Sequence, residues 1–106
     1  MINKIYIAGK VTGLTPEQYH RNFDNAKEIV KLYFPEAEII VPTDICDDNW
    51  SWTQSMSVCI DELWNCNIVV FMEGWEDSHG ASIERKLAQK LNIPILDLIN
   101  NKLISK

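Results

Sequence analysis

Basic residues are in short supply: ten Lys and Arg stand against fifteen Asp and Glu, for a formal charge of −5. Such a chain offers no broad positive surface to a phosphate backbone, so duplex nucleic acid is not an expected partner. Cysteine is scarce and unpaired in pattern. Cys46, Cys59 and Cys66 are an odd set with no C-x-x-C spacing, which fits a reducing compartment better than a disulfide framework and suggests no metal site. No apolar run approaches the roughly 18 residues of a membrane-spanning helix. The chain opens within a few residues on a strand-like segment instead of a charged, apolar and cleavable leader. A cytoplasmic location without membrane attachment is expected.

The dinucleotide fingerprint is missing as well. The first strand-like run leads into Gly9-Lys10-Val11-Thr12-Gly13 and not into G-x-G-x-x-G with an acid about 20 positions later. A nicotinamide-type oxidoreductase is therefore a poor reading, and no cofactor is expected. Internal repeats, low-complexity tracts and linkers are also lacking, and 106 residues suit one domain spanning 1–106. With 46% hydrophobic and 24% charged residues, that domain has the composition of a folded globular protein.

What is present is a regular alternation of elements. Lys4 to Ala8 (KIYIA) is β-branched and aromatic and stops at Gly9, as a buried strand before a tight turn would. Thr15 can cap a helix with Pro16 at its first position and Gln18 completing a capping box, and Phe23, Ala26, Ile29, Val30 and Tyr33 carry the helical period to about Phe34. Glu38 to Val41 reads as a short strand closed by Pro42, and Thr43 to Trp50 as a polar, acidic loop. Ser51 or Thr53 can cap a second helix through Trp64, Asn67 to Met72 is a strand covered on both faces, Ser78 caps a third helix to about Leu91, and Pro94 to Leu98 is a last strand. The tail after Asn100 reads as a surface extension. This β-α-β-α-β-α-β order predicts an α/β fold with a parallel sheet, and its ligand crevice falls at the loops after the first and third strands.

One residue breaks the pattern. At about 100° per residue, Gly80, Ala81, Ile83, Leu87, Ala88 and Leu91 share one arc of the third helix, while Arg85, Lys86, Gln89 and Lys90 fall on the other side. Glu84 lies inside the apolar arc. Charged residues are mostly exposed, and a carboxylate so placed needs hydrogen bonds or a ligand to offset lost hydration. It sits in the first turns of a helix whose free N–H groups and Ser78 could hold an anion beside the crevice. A carboxylate in such a pocket can attack a sugar C1′ as a base leaves, forming a glycosyl-enzyme intermediate.

Tyr6-Ile7-Ala8-Gly9 with Thr12-Gly13, the Asn22-Phe23 pair, and Gly74-Trp75-Glu76-Asp77-Ser78 running on to Gly80-Ala81 and Glu84 resemble the nucleoside 2-deoxyribosyltransferase-like proteins of bacteria and phages. The likeness extends from Lys4 to about Leu98. It implies a flavodoxin- or Rossmann-like three-layer sandwich with a mostly parallel sheet of four to five strands, and a small-molecule nucleoside or nucleotide as ligand. It also implies Glu84 as covalent nucleophile, Tyr6 near the sugar, and Gly9 at the pocket floor. Gly13, Trp75, Asp77, Ser78 and Gly80 would contact substrate, and a homo-oligomer would complete the pocket. The serine at Ser78 matches the related deoxynucleoside 5′-monophosphate N-glycosidases, where it contacts phosphate.

The sequence departs from that family in one place. An aspartate expected in the second helix is replaced by Cys59, with Asp61 on a different helical face. Two functions follow as expectations: cleavage or exchange of an N-glycosidic bond through Glu84, or a non-catalytic nucleotide-binding protein that retains the fold.

Overall fold

A computed structural model describes residues 4–105. Strand β1 (Lys4–Ala8) leads to helix α1 (Pro16–Tyr33), strand β2 (Glu38–Ile40) and a short helix α2 (Pro42–Ile45). Helix α3 (Trp52–Leu63), strand β3 (Ile68–Met72), a 3₁₀ turn at Trp75–Asp77, helix α4 (His79–Lys90) and strands β4 (Ile95–Ile99) and β5 (Lys102–Ser105) complete the chain. The sheet order is β2-β1-β3-β4-β5, with β2, β1, β3 and β4 parallel and β5 antiparallel. This is the expected α/β architecture, with the strand order reversing between β1 and β3. Among the described residues no helix is long and apolar enough to cross a membrane.

Local sequence explains most element ends. The Thr15 and Ser51 side-chain oxygens each accept a hydrogen bond from the backbone N–H three residues on, and their own backbone N–H groups donate to Oε1 of Gln18 and Gln54, so α1 and α3 both start in capping boxes. Ser78 caps α4 through Ala81 N, and Asn92, at φ 57°, turns the chain out of its far end. Pro42 at the first position of α2 closes β2 at Ile40, one residue earlier than the sequence pattern predicts.

The tail corrects the expectation of a surface extension. Asn100 and Asn101 adopt φ 51° and 62°, the two consecutive left-handed residues of a tight hairpin, and fold Lys102–Ser105 back as β5 along β4. Leu103 packs on the core while Ile104 faces out.

Strand alternation assigns each side chain to a layer. Ile5 and Ile7 of β1 join Phe23, Ala26 and Val30 of α1 on one face. Tyr6 and Ala8 turn to the other face, with Cys59 and Leu63 of α3 and Ala81 and Ala88 of α4. Tyr6 thus lies under α3 and α4.

Arg85 corrects a second expectation. It is buried instead of sharing the polar side with Lys86, and its Nη1 and Nη2 donate to the two carboxylate oxygens of Asp97 on β4 at 2.8 and 3.2 Å. The guanidinium also lies 4.9 Å from the Phe71 ring centroid and 4.3 Å from that of Trp75, so aromatic faces replace water around the charge. A buried pair of this kind is costly to break from one side, because the other charge is left unpaired. Asp97→Ala should lower unfolding free energy by about 3–5 kcal/mol. In urea titrations the double replacement Arg85→Met with Asp97→Leu should recover most of the loss, since it leaves no orphan charge.

Candidate functional site

Where β1, β2 and β3 end, a cavity of about 260 Å³ opens between the loop after β1, the segment from Pro42 to Trp50, and the facing parts of α3 and α4. Its position is the crevice that this strand order creates at the carboxyl edge of the sheet. Tyr6 and Glu84 both line it. Tyr6 is wholly buried and Glu84 is 4% exposed, and the Tyr6 hydroxyl donates to Glu84 Oε2 at 2.5 Å. The bond joins the first strand to the last helix.

Burial governs the electrostatics. Loss of hydration raises the Glu84 carboxyl from 4.5 to about 7, although the Tyr6 hydrogen bond favours the ionised form and acts the other way. Burial first, then the charge of Glu84, push the Tyr6 phenol well above its ordinary value, so Tyr6 remains a donor. Glu84 is consequently divided between acid and carboxylate near neutral pH. Burial also pushes the Cys59 thiol well up. It lies beside Tyr6, with its Sγ 3.6 Å from that of Cys46.

Close packing accounts for two of the cavity's glycines. A Cβ on Gly80 would stand 2.9 Å from Met56 Sδ, and one on Gly9 would stand 2.6 Å from Met72 Sδ. Gly80 lets α4 approach α3, and Gly9 lets the loop after β1 pass over β3. Ser78 is buried at the cavity edge, where its Oγ accepts from Ala81 N at 3.2 Å.

Five of the sequence-predicted residues, Tyr6, Gly9, Ser78, Gly80 and Glu84, therefore line one cavity. Gly13, Trp75 and Asp77 do not. Gly13 occupies a turn at φ 89°, and Asp77 is exposed in the 3₁₀ turn. That turn swings Trp75 away from Glu84 to the side of α4 where it covers Arg85 and lines a separate, smaller cavity with Asp97. Its aromatic face is committed to packing and not to the Glu84 cavity. His79 is exposed and stacks on Trp52, with centroids 5.5 Å apart.

Tyr19, Asp47 and Asp48, which no sequence motif marked as site residues, also line the cavity. Asp48 Oδ1 accepts from the Tyr19 hydroxyl at 2.7 Å, and its Oδ2 lies 3.0 Å from His20 Nε2. The Tyr19 bond first, then the His20 bond, hold the Asp48 carboxyl below its usual range. A signal existed: the acidic pair lies in the polar segment Thr43 to Trp50 that follows the strand predicted at Glu38 to Val41, whose carboxyl end borders the crevice. Among the described residues no group of three or more His, Cys, Asp or Glu is arranged to hold a metal.

Residues 3–97 match the family described as Domain of unknown function (DUF4406). The chain belongs to the DUF4406 family. Two solved structures share the fold of this DUF4406 chain. The 2-desoxiribosyltransferase from Leishmania mexicana superposes with a TM-score of 0.68 at 20% identity, over 91% of this chain and 63% of that one. A conserved protein from Enterococcus faecalis V583 gives 0.67 at 16%, over 92% and 63%. The DUF4406 chain thus spans 63% of the length of each. No curated protein matches it.

The raised Glu84 carboxyl has a consequence for stability. A folded-state value of about 7 against 4.5 means that the folded chain holds the proton more tightly than the unfolded chain. The associated stabilisation is complete below about pH 4.5 and is lost as pH rises to about 7. Relative to Glu84→Gln, the wild type should lose about 3 kcal/mol between pH 4.5 and 8, checked by denaturant titrations of both proteins at the two pH values. Parallel stability at both would mean that Glu84 does not titrate in a buried site.

Proposed function

We propose that the chain is a nucleoside 2-deoxyribosyltransferase-like domain over residues 1–106, which cleaves or exchanges the N-glycosidic bond of a (deoxy)nucleoside or its 5′-monophosphate through a covalent glycosyl-Glu84 intermediate. The carrying observation is Glu84 itself, a carboxyl group buried at the floor of a crevice-edge cavity and held at 2.5 Å by Tyr6. The fold shared with a 2-desoxiribosyltransferase is consistent with it.

In this reading the ionised Glu84 attacks C1′ while the C1′–N bond breaks and its electron pair leaves with the base. Water or a second base then displaces Glu84 from C1′. The Tyr6 hydroxyl fixes the carboxylate during attack and can stay on the oxygen that does not bond the sugar. The chain's weak point is the proton that the departing base must receive. Cys59, the residue in place of the family's aspartate, is a thiol that burial keeps protonated, and it is a poor donor. That observation favours the second reading, a nucleotide-binding protein with little turnover.

One pair of variants separates the two. With each common deoxynucleoside and deoxynucleotide as substrate, Glu84→Gln should reduce release of free base by several orders of magnitude while the chain stays folded, because an amide is a poor nucleophile. Cys59→Asp should raise release at least about tenfold by restoring an acid. Absence of release from both wild type and Cys59→Asp would leave only the binding reading.

Homo-oligomerisation is proposed as well, with Trp52 and Trp64 of the α3 region exposed and available for a partner subunit. Light scattering at tens of micromolar (order of magnitude) should give at least a dimer.

A further inference from the structure

The charge of the cavity narrows the ligand further. Asp47, Asp48 and Glu84 line it, and among the described lining residues none is Lys, Arg or His. His20 lies outside the lining, with its Nε2 3.0 Å from Asp48 Oδ2. The opposing attraction is the N-terminus of α4, equivalent to roughly half a positive charge, and one of its free amides, that of Ala81, is taken by Ser78 Oγ at 3.2 Å. Half a charge does not balance two carboxylates plus a partly ionised third. A phosphate dianion bound in the cavity would be repelled by all three. It would also raise the Glu84 carboxyl further and thin out the carboxylate that the proposed reaction needs.

We infer that Asp48, together with Asp47, makes this cavity select an uncharged nucleoside bearing N–H or O–H donors and reject the same nucleoside once it carries a 5′-phosphate. The inference rests on the N-glycosidic reading and decides between the two substrate classes that reading leaves open. It also reverses what the serine at Ser78 implies by resemblance: the hydroxyl serves as a helix cap, and among the described residues lining the cavity none is a Lys or Arg that would neutralise a phosphate. Asp48 is suited to the task because Tyr19 and His20 fix its orientation and stabilise its ionised form. A fixed carboxylate is an acceptor only, and so recognises a ligand by the donors it presents.

The test is calorimetric binding of 2′-deoxyadenosine and 2′-deoxycytidine, each against its own 5′-monophosphate, to the full chain at low ionic strength. Each nucleoside should bind at least about tenfold more tightly than its monophosphate, and the gap should shrink as salt screens the repulsion. Asp48→Asn should narrow the gap several-fold. Asp61→Asn, which removes the same charge from an exposed position on α3 outside the cavity, should leave it unchanged. A monophosphate binding as tightly as its nucleoside, or more tightly, overturns the inference alone. An equal narrowing by Asp61→Asn also overturns it, since net charge and not the cavity would then set the preference. Absence of both binding and base release with every nucleoside and nucleotide overturns the N-glycosidic reading and the inference with it.

Discussion

The hydrogen bond between Tyr6 and Glu84 imposes a requirement that reaches through the fold. A carboxyl group kept from water needs a donor that is itself dry and rigid, and strand β1 supplies one from the centre of the sheet. Because β1 alternates its side chains, Ile5 and Ile7 must pack beneath α1 for Tyr6 to face α3 and α4. A register slip of one residue would send Tyr6 to the wrong layer, so the core that fixes the register also fixes the site. Its pairings, Tyr6 with Ile40 on one side and with Val69 on the other, are parallel and buried.

The other half of the requirement is the rotation of α4. Glu84 and Arg85 are neighbours about 100° apart around the helix, and both are buried. Each has a separate anchor. Arg85 grips Asp97 of β4 with two nitrogens, under Phe71 and Trp75, while Glu84 reaches Tyr6 of β1. Two anchors on different strands leave the helix little freedom to turn. The fork between Arg85 and Asp97 thus aims the carboxyl group without touching the cavity that contains it. The same division explains why Trp75 belongs to the supporting side of α4 and not to the ligand side.

Much of this was legible in the sequence where the cue is local or periodic. The capping box at Thr15, a cap at Ser51 or Thr53, the cap at Ser78, and the apolar strands were plain from residue type and spacing, and the misfit of Glu84 in an apolar arc pointed to the cavity. What escaped depended on contacts between distant segments. Arg85 looked like a solvent-facing neighbour of Lys86 because its partner, Asp97, lies in another element. Asp48 looked like part of a polar loop because Tyr19 and His20, which hold it, come from α1. The hairpin that forms β5 turns on two asparagines taking the left-handed conformation, a choice few other residues make readily.

In the proposed reaction Glu84 carries the chemistry and does more than complete a core. Intact-mass measurement tests it most directly, after incubation with a 2′-deoxynucleoside bearing fluorine at C2′, where the electronegative substituent disfavours the oxocarbenium-like state and slows breakdown of the glycosyl ester. The expected product is a chain heavier by one fluorinated sugar, with the added mass on the peptide containing Glu84 and free base appearing in equal amount. Adduct formation on any other residue, or release of base from a chain that never carries the sugar while active, would contradict it.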